Sequence, residues 1–249
     1  MSAVDYTNFD PRIPKYPTII SSILSIILVL MYLIEIYFNA SYNDQSLIML
    51  GAKWNEGIIR GEFWRFFTPT LLHGNIFHLL LNLTALLVFG KEVESIYGPI
   101  SFCILFIFSS WGAILCSFVF SDGIAIGASG ALFGIIGALL VFYYKNKDKI
   151  SGAILKYKSI YTMILINLIF GILIPKIDNF AHIGGLITGI SLSSLITPTY
   201  IFEQSTDNRV TLKHKDKTFK KVLASLLSLF TLSLLTLISI KNSFLLNFF

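Results

Sequence analysis

Four side chains in this sequence have the types and spacing of an acyl-transfer site. Ser129 lies in Gly127-Ala128-Ser129-Gly130, and His182 opens the run Ala181-His182-Ile183-Gly184-Gly185, with Gly189 one turn further on. His78 and Asn82 are four residues apart, so on a helix they share one face. A serine hydroxyl becomes a nucleophile when a base such as imidazole lies within hydrogen-bond reach. The oxyanion that follows attack needs preorganised donors, and an imidazole, a carboxamide and a backbone N–H can each be one. Each feature also has a plainer reading. A serine flanked by glycines in an apolar helix is a packing element, and a His/Asn pair can simply tie two helices together. Metal ligation is not expected. No Cys, Asp or Glu shares the face of His78 and Asn82, and asparagine is a weak ligand. Asp178 precedes His182 but is placed to cap its helix, so the pattern favours a Ser–His dyad.

The elements that must position these groups follow from composition. The 249 residues are 55% hydrophobic and 13% charged, with a mean hydropathy of +0.74. Soluble domains carry roughly 25% charged residues. A water-soluble globule could not hide this much apolar surface, and disorder requires low hydrophobicity. A polytopic membrane protein remains. Seven apolar runs are long enough, or nearly so, to cross the bilayer: 18–38, 74–90, 100–121, 124–144, 158–174, 179–197 and 219–240. The first is read as a retained span rather than a signal peptide, because no small-x-small cleavage site follows it. The organisation expected is a short N-terminus (1–17), a core (18–197), a basic linker (198–218), and a seventh span with a short C-terminus (219–249).

Orientation follows from the basic residues. With the N-terminus inside, only Lys53, Arg60, Arg65, Lys176 and Lys241 of the 19 Lys and Arg fall outside. That is a strong positive-inside bias, so the net charge of +5 is read as membrane orientation and not as nucleic-acid binding. The outer segment 39–73 is too long for a structureless loop. It is also rich in apolar and aromatic residues, including Phe63-Trp64-Arg65-Phe66-Phe67. Short helices lying in the interface are expected there. Cys103 and Cys116 are 13 residues apart on one run, too far to pair. Even-numbered spans then run from outside to inside. Ser129, His182 and the His78/Asn82 pair all enter from the outer side, about 5–12 Å down their spans at 1.5 Å per residue. Packing alone does not require three separate segments to bring hydroxyl, imidazole and amide groups to one depth. Two further faces are smooth: Gly130 and Gly134 beside Ser129, and Gly185 and Gly189 beside His182, which allows close backbone approach.

In order and spacing, Glu62-Phe63-Trp64-Arg65, His73…His78…Asn82, Gly127-Ala128-Ser129-Gly130 and Ala181-His182-x-x-Gly185-x-x-x-Gly189 resemble the rhomboid family of intramembrane serine proteases. The resemblance covers about residues 18–197. It implies an all-α polytopic fold, a six-helix bundle core with a seventh C-terminal transmembrane helix. It implies Ser129 as nucleophile, His182 as general base, and His78, Asn82 and the Ser129 N–H as oxyanion donors. It places Phe133 against the catalytic histidine, Trp64 and Arg65 in a stabilising loop motif, and Gly127, Gly130, Gly185 and Gly189 in close packing. It implies no metal or other cofactor. Its partners are transmembrane protein substrates, cleaved near their outer end and admitted beside the fifth span and the loop 175–181, and the lipid bilayer itself. The expected setting is a bacterial plasma membrane, with the N-terminus cytoplasmic and the site opening outward. Two other readings carry sequence expectations of their own. A transporter should show internal repeats and midplane charges, whereas Glu35 is the one acid well inside a run. A protease-dead membrane-protein binder should have lost Ser129 or His182.

Overall fold

Long apolar runs must satisfy their backbone internally in lipid, which leaves helices as the solution here. The computed structural model describes residues 9–10, 15–174, 177–198, 200–204, 210–214 and 218–246. Arg12, Pro175, Lys176, Arg209, Lys215 and Lys217 lie outside the described residues. The helices in chain order are α1 (Ile20–Tyr37), α2 (Asp44–Met49), α3 (Asn55–Ile59), α4 (Ile76–Ala85), α5 (Lys91–Tyr97), α6 (Pro99–Phe120), α7 (Ser129–Lys145), α8 (Ala153–Leu173), α9 (Asn179–Ile196) and α10 (Thr218–Leu246). A π-helical turn, Leu86–Gly90, joins α4 to α5, and the three run as one span, Ile76–Tyr97. Among the described residues six helices are long and apolar enough to cross a membrane, and α7 is a shorter apolar helix. The protein is a multi-pass, helical membrane protein.

Three helices form the centre. α7 and α9 meet through glycine backbones. A Cβ on Gly185 would run into the carbonyl oxygen of Gly130 and stand 2.7 Å from its carbon, and a Cβ on Gly189 would run into the carbonyl of Gly134. α6 closes the third side, where Gly112 faces Thr188 and the Gly184 carbonyl. Lipid tails are as apolar as leucine, so helices associate there by close packing, which small residues permit. α1 and α8 are peripheral. Leu30, Leu33, Leu155 and Ile172 are exposed on their outer faces, as lipid-facing residues must be. α10 attaches through Trp111 Nε1, which donates to Thr236 Oγ1 at 3.0 Å.

Buried polar groups tie these helices at defined points. Glu94 caps α1 by accepting from the N–H groups of Ile20 (2.7 Å) and Ser21 (2.8 Å), donors that have no partner within the helix itself. Tyr97 donates to the Ala138 carbonyl at 2.8 Å and lies within hydrogen-bond distance of Ser193 and Thr197.

Three local outcomes differ from the sequence expectations. The fourth span begins at Ser129 and not near 124. Residues 124–128 are non-helical because Ala125 pairs with Lys53 as an isolated β-bridge and Gly127 takes φ +117. The second span extends to Tyr97, past Lys91, Glu92 and Glu94. The two carboxylates have partners within the fold: Glu92 pairs with Lys156 at 2.6 Å and Glu94 accepts from the start of α1. The linker 198–218 holds two antiparallel strands, β2 (Tyr200–Gln204) and β3 (Val210–His214). β1 (Phe9–Asp10) adds in parallel to β3.

The segment 39–73, expected on the outer side, is structured throughout, with two 3₁₀ turns (Phe63–Phe66 and Thr68–Leu71) following α2 and α3. Arg65 organises it. The guanidinium is buried and donates to the carbonyls of Ile48 (2.8 Å) and Ala52 (2.7 Å), and it pairs with Glu62. Trp64, expected to share that role, is 55% exposed. The ring over which Arg65 lies is Trp54, 5.7 Å from its centroid.

Candidate active site

Ser129 is the first residue of α7. At 1.5 Å per residue, the 22 residues of α6 span about 33 Å and the 17 residues of α7 about 25 Å. The non-helical segment 121–128 joins the two. Irregular backbone at membrane depth is tolerated only where protein covers it, and segment 39–73 does so. Gly127 N donates to Pro69 O at 2.8 Å. The buried Lys53 Nζ donates to the carbonyls of Ser121 (2.5 Å) and Gly123 (2.9 Å), and Asn55 Nδ2 donates to Ser121 O at 3.1 Å. Burial lowers the Lys53 amine to about 8, against the opposing pull of Asp178, Asp122 and Glu56.

His182 stands in the first turn of α9, 2.9 Å from Ser129 Oγ through Nε2. Its ring stacks on Phe133, one turn along α7 from Ser129, with centroids 4.3 Å apart and planes at 11°. His182 Nδ1 is buried without a hydrogen-bond partner. Asp178 is the N-cap of α9: it accepts from Ala181 N at 3.0 Å and from Ser117 Oγ. Its carbonyl accepts from His182 N at 3.2 Å, but its carboxylate does not reach the His182 ring. A serine whose hydroxyl donates to Nε2, on an imidazole that carries its own proton on Nδ1, is set up for proton transfer to the ring.

The His78/Asn82 pair reaches the same place from α4. A Cβ built on Gly127 would meet His78 Cε1 and Nε2 at 2.6 Å and Asn82 Nδ2 at 3.8 Å. The missing side chain therefore leaves a cradle floored by an imidazole edge and a carboxamide. The start of α7 contributes backbone N–H groups that no helical carbonyl accepts and the positive end of its dipole. Asn82 Nδ2 donates to His78 O at 3.1 Å, leaving its second hydrogen for another acceptor. His78 Nδ1 is 2.9 Å from His73 O. His73 is buried with both ring nitrogens unpartnered, edge-on to His78 at 5.2 Å. Burial, with the His78 ring beside it, lowers His73 to about 3, so it stays neutral.

The structure brings Ser129, His182, Phe133, His78 and Asn82 together around Gly127, Gly130 and Gly185, whereas Arg65 organises segment 39–73 and Trp64 is exposed. Residues that the sequence reading passed over include Lys53, Asn55 and Trp54. Among the described residues no group of three His, Cys, Asp or Glu side chains could hold a metal ion, and both cysteines are free.

Comparison with known proteins decides the family. The rhomboid domain matches residues 60–199. The chain belongs to the rhomboid family. Rhomboid protease GluP of Bacillus subtilis is 39% identical over 173 residues, 70% of this chain and 34% of that relative. Rhomboid-like protease 3 of Toxoplasma gondii is 32% identical over 168 residues, 66% of this chain and 64% of that protein. A third relative, Inactive RHOMBOID-like protein 8 of Arabidopsis thaliana, is 35% identical over 141 residues, 56% of this chain and 40% of its own length. The chain thus spans between about a third and two thirds of these rhomboid relatives. The match encloses every residue of the Ser129, His182, His78 and Asn82 cluster.

Proposed function

We propose that this rhomboid-family protein is an intramembrane serine endopeptidase that cleaves transmembrane segments of other proteins near their outer end. The observation that carries the reading is the 2.9 Å contact between Ser129 Oγ and His182 Nε2 on two helices packed through glycine. His182 Nε2 takes the hydroxyl proton as Ser129 Oγ bonds to the scissile carbonyl carbon, and the carbonyl oxygen becomes an oxyanion. The Ser129 N–H, Asn82 Nδ2 and His78 face that oxygen over Gly127. As the tetrahedral centre collapses, the C–N bond breaks and His182 returns its proton to the leaving amine. Water then attacks the acyl-serine, giving its proton to His182, and the carboxylic acid product leaves as Ser129 is restored. Phe133 fixes the plane of the imidazole. The substrate is admitted from the bilayer beside α8. The N-terminus is placed in the cytoplasm and the site opens outward, in a bacterial plasma membrane.

A membrane-protein binder without activity is the second reading, motivated by the relative named inactive. A binder has no use for a base in hydrogen-bond contact with its serine. The test is cleavage of single-span model substrates in detergent by purified wild type, Ser129→Ala and His182→Ala. Wild-type cleavage lost in both variants, with melting temperature kept, is the expected result. Cleavage by Ser129→Ala at the wild-type rate would overturn the assignment, and an inert but folded wild type across a broad substrate panel would favour the binder.

A further inference from the structure

Glu35 is a fully buried carboxylate on α1. Its oxygens accept from His73 N (2.9 and 3.0 Å) and from Gly74 N (2.8 Å). The residues it holds form the approach to α4. Gly74 takes φ +62, and Asn75 caps the helix by accepting from His78 N at 2.9 Å. The carbonyl of His73 belongs to the same peptide group as the Gly74 N–H, and it accepts from Asn75 N at 2.6 Å and faces His78 Nδ1 at 2.9 Å. One amide therefore links carboxylate to imidazole: Glu35 at its N–H end, His78 at its C=O end. Hydrogen bonds in such a chain polarise one another, more so away from water.

A carbonyl can only accept, so His78 Nδ1 carries a proton. A neutral ring protonated on Nδ1 has only a lone pair on Nε2, the atom over Gly127. Such a ring cannot donate to an oxyanion, whereas the imidazolium donates from both nitrogens. The other titratable groups facing His78 are the rings of His73 and His182, and neither supplies negative charge. Neither oxygen of Glu35 has an acceptor to which a carboxyl proton could be given, so the geometry describes a carboxylate.

Building on the protease reading, we propose that Glu35 is a positioning residue for the oxyanion site. Through the His73–Gly74 peptide it fixes the His78 ring with Nδ1 protonated and provides the buried negative charge that lets the ring take its second proton on Nε2. It touches no substrate and acts through His78.

The test pairs kinetics with a spectroscopic measurement that needs no activity. Glu35→Gln keeps a carbonyl acceptor for the peptide but removes the charge. It should lower kcat by about 10²–10³-fold, the loss typical of one oxyanion donor, with KM unchanged. In a His78→Ala background the same change should cost less than 3-fold, because its route of action is gone. Losses that multiply would overturn the proposal. In parallel, ¹⁵N-histidine spectra, with His78 assigned by difference against His78→Asn, should show both ring nitrogens protonated in wild type and one in Glu35→Gln. The same protonation state in both proteins would also overturn it. If Glu35→Gln fails to fold, the wild-type spectrum decides alone, and a neutral His78 ring in folded protein refutes the proposal. Recorded on Ser129→Ala protein, the spectra separate the two hypotheses. A shifted ring together with cleavage that persists without Ser129 would reject the protease reading while leaving the Glu35–His78 linkage standing.

Discussion

Substituting Gly185 by alanine adds one methyl group and no chemistry, yet the packing of α7 against α9 makes it a test of the whole site. The new Cβ would collide with the carbonyl oxygen of Gly130 and stand 2.7 Å from its carbon. Non-bonded carbons sit about 3.5–4.0 Å apart at their optimum, so the helices must separate locally by about 1 Å or more. Backbone faces backbone there, and no rotamer can absorb the strain. Gly130 adjoins Ser129, and Gly185 is one turn from His182, so the separation passes almost undiminished to the dyad. The Ser129–His182 distance of 2.9 Å then rises to about 4 Å, outside the roughly 2.6–3.2 Å of a working nucleophile–base pair. A 1 Å misplacement can cost about 10²-fold in rate. We expect Gly185→Ala to lower kcat/KM by at least that factor. The assay is cleavage of a single-span substrate in proteoliposomes, at amounts of enzyme matched by folded fraction. Gly123→Ala is the control, since its Cβ would meet only Ser121 Oγ at 3.7 Å. Gly152 is a poorer control than its position outside the helices suggests: it has open space but φ +74, where a side chain strains the backbone. Wild-type activity in Gly185→Ala, with unchanged melting temperature, would show that the dyad does not depend on this contact.

Other outcomes test the rest of the site. Asn82→Ala should lower kcat by about 10²-fold without moving the cleavage position, and His78→Ala by a similar factor; full activity in both would return them to a packing role. Activity should persist in chelator and be lost to acylating reagents directed at serine, and a loss reversed by zinc would contradict the serine mechanism. Lys53 predicts a pH dependence of stability. Its amine titrates near 8 in the fold and near 10.5 when unfolded, so the unfolded chain holds the extra proton between those values and stability rises with pH across that window. Melting curves of wild type and Lys53→Met should diverge from pH 8 to 10, wild type gaining; parallel curves would refute the burial argument.

The sequence made the spans and most of the site readable because both leave periodic marks. Lipid-crossing runs are apolar from end to end, and His78/Asn82 or Gly185/Gly189 share faces at helical spacing. What stayed hidden depends on contacts between distant segments. The start of α7 at Ser129 could not be read from Ile124-Ala125-Ile126, which is apolar enough to continue a helix; a β-bridge from Lys53 removes it from the helix. Lys53 itself looks like one more outer-loop cation until its carbonyl partners on the α6–α7 connection are seen. Trp64 and Trp54 are equivalent by type, and only the fold shows which one lies against Arg65. Glu35 was visible as an anomaly, an acid inside an apolar run. Its partners are backbone N–H groups nearly forty residues away, which no side-chain pattern announces.

The π-helical turn at Leu86–Gly90 acts as a phase correction in the second span. Asn82 and Glu94 are twelve residues apart. At about 100° per residue in a regular α-helix, they would point roughly 120° apart, and one of them would face lipid. A π turn takes up one extra residue, which brings the two within roughly 20° of a common direction. The first half of the span can then aim Asn82 at Gly127 while the second half keeps Glu94 on the start of α1 and Tyr97 on α9. Deleting any one residue between 86 and 90 would restore regular helix and leave His78 and Asn82 in place. It would also keep Glu94 and Tyr97 on their present faces, since eleven residues of regular helix end at the same roughly 20°, whereas adding a further residue would swing both by about 100° out of the interior, detaching the end of the helix that carries His78 and Asn82 from the end that anchors it.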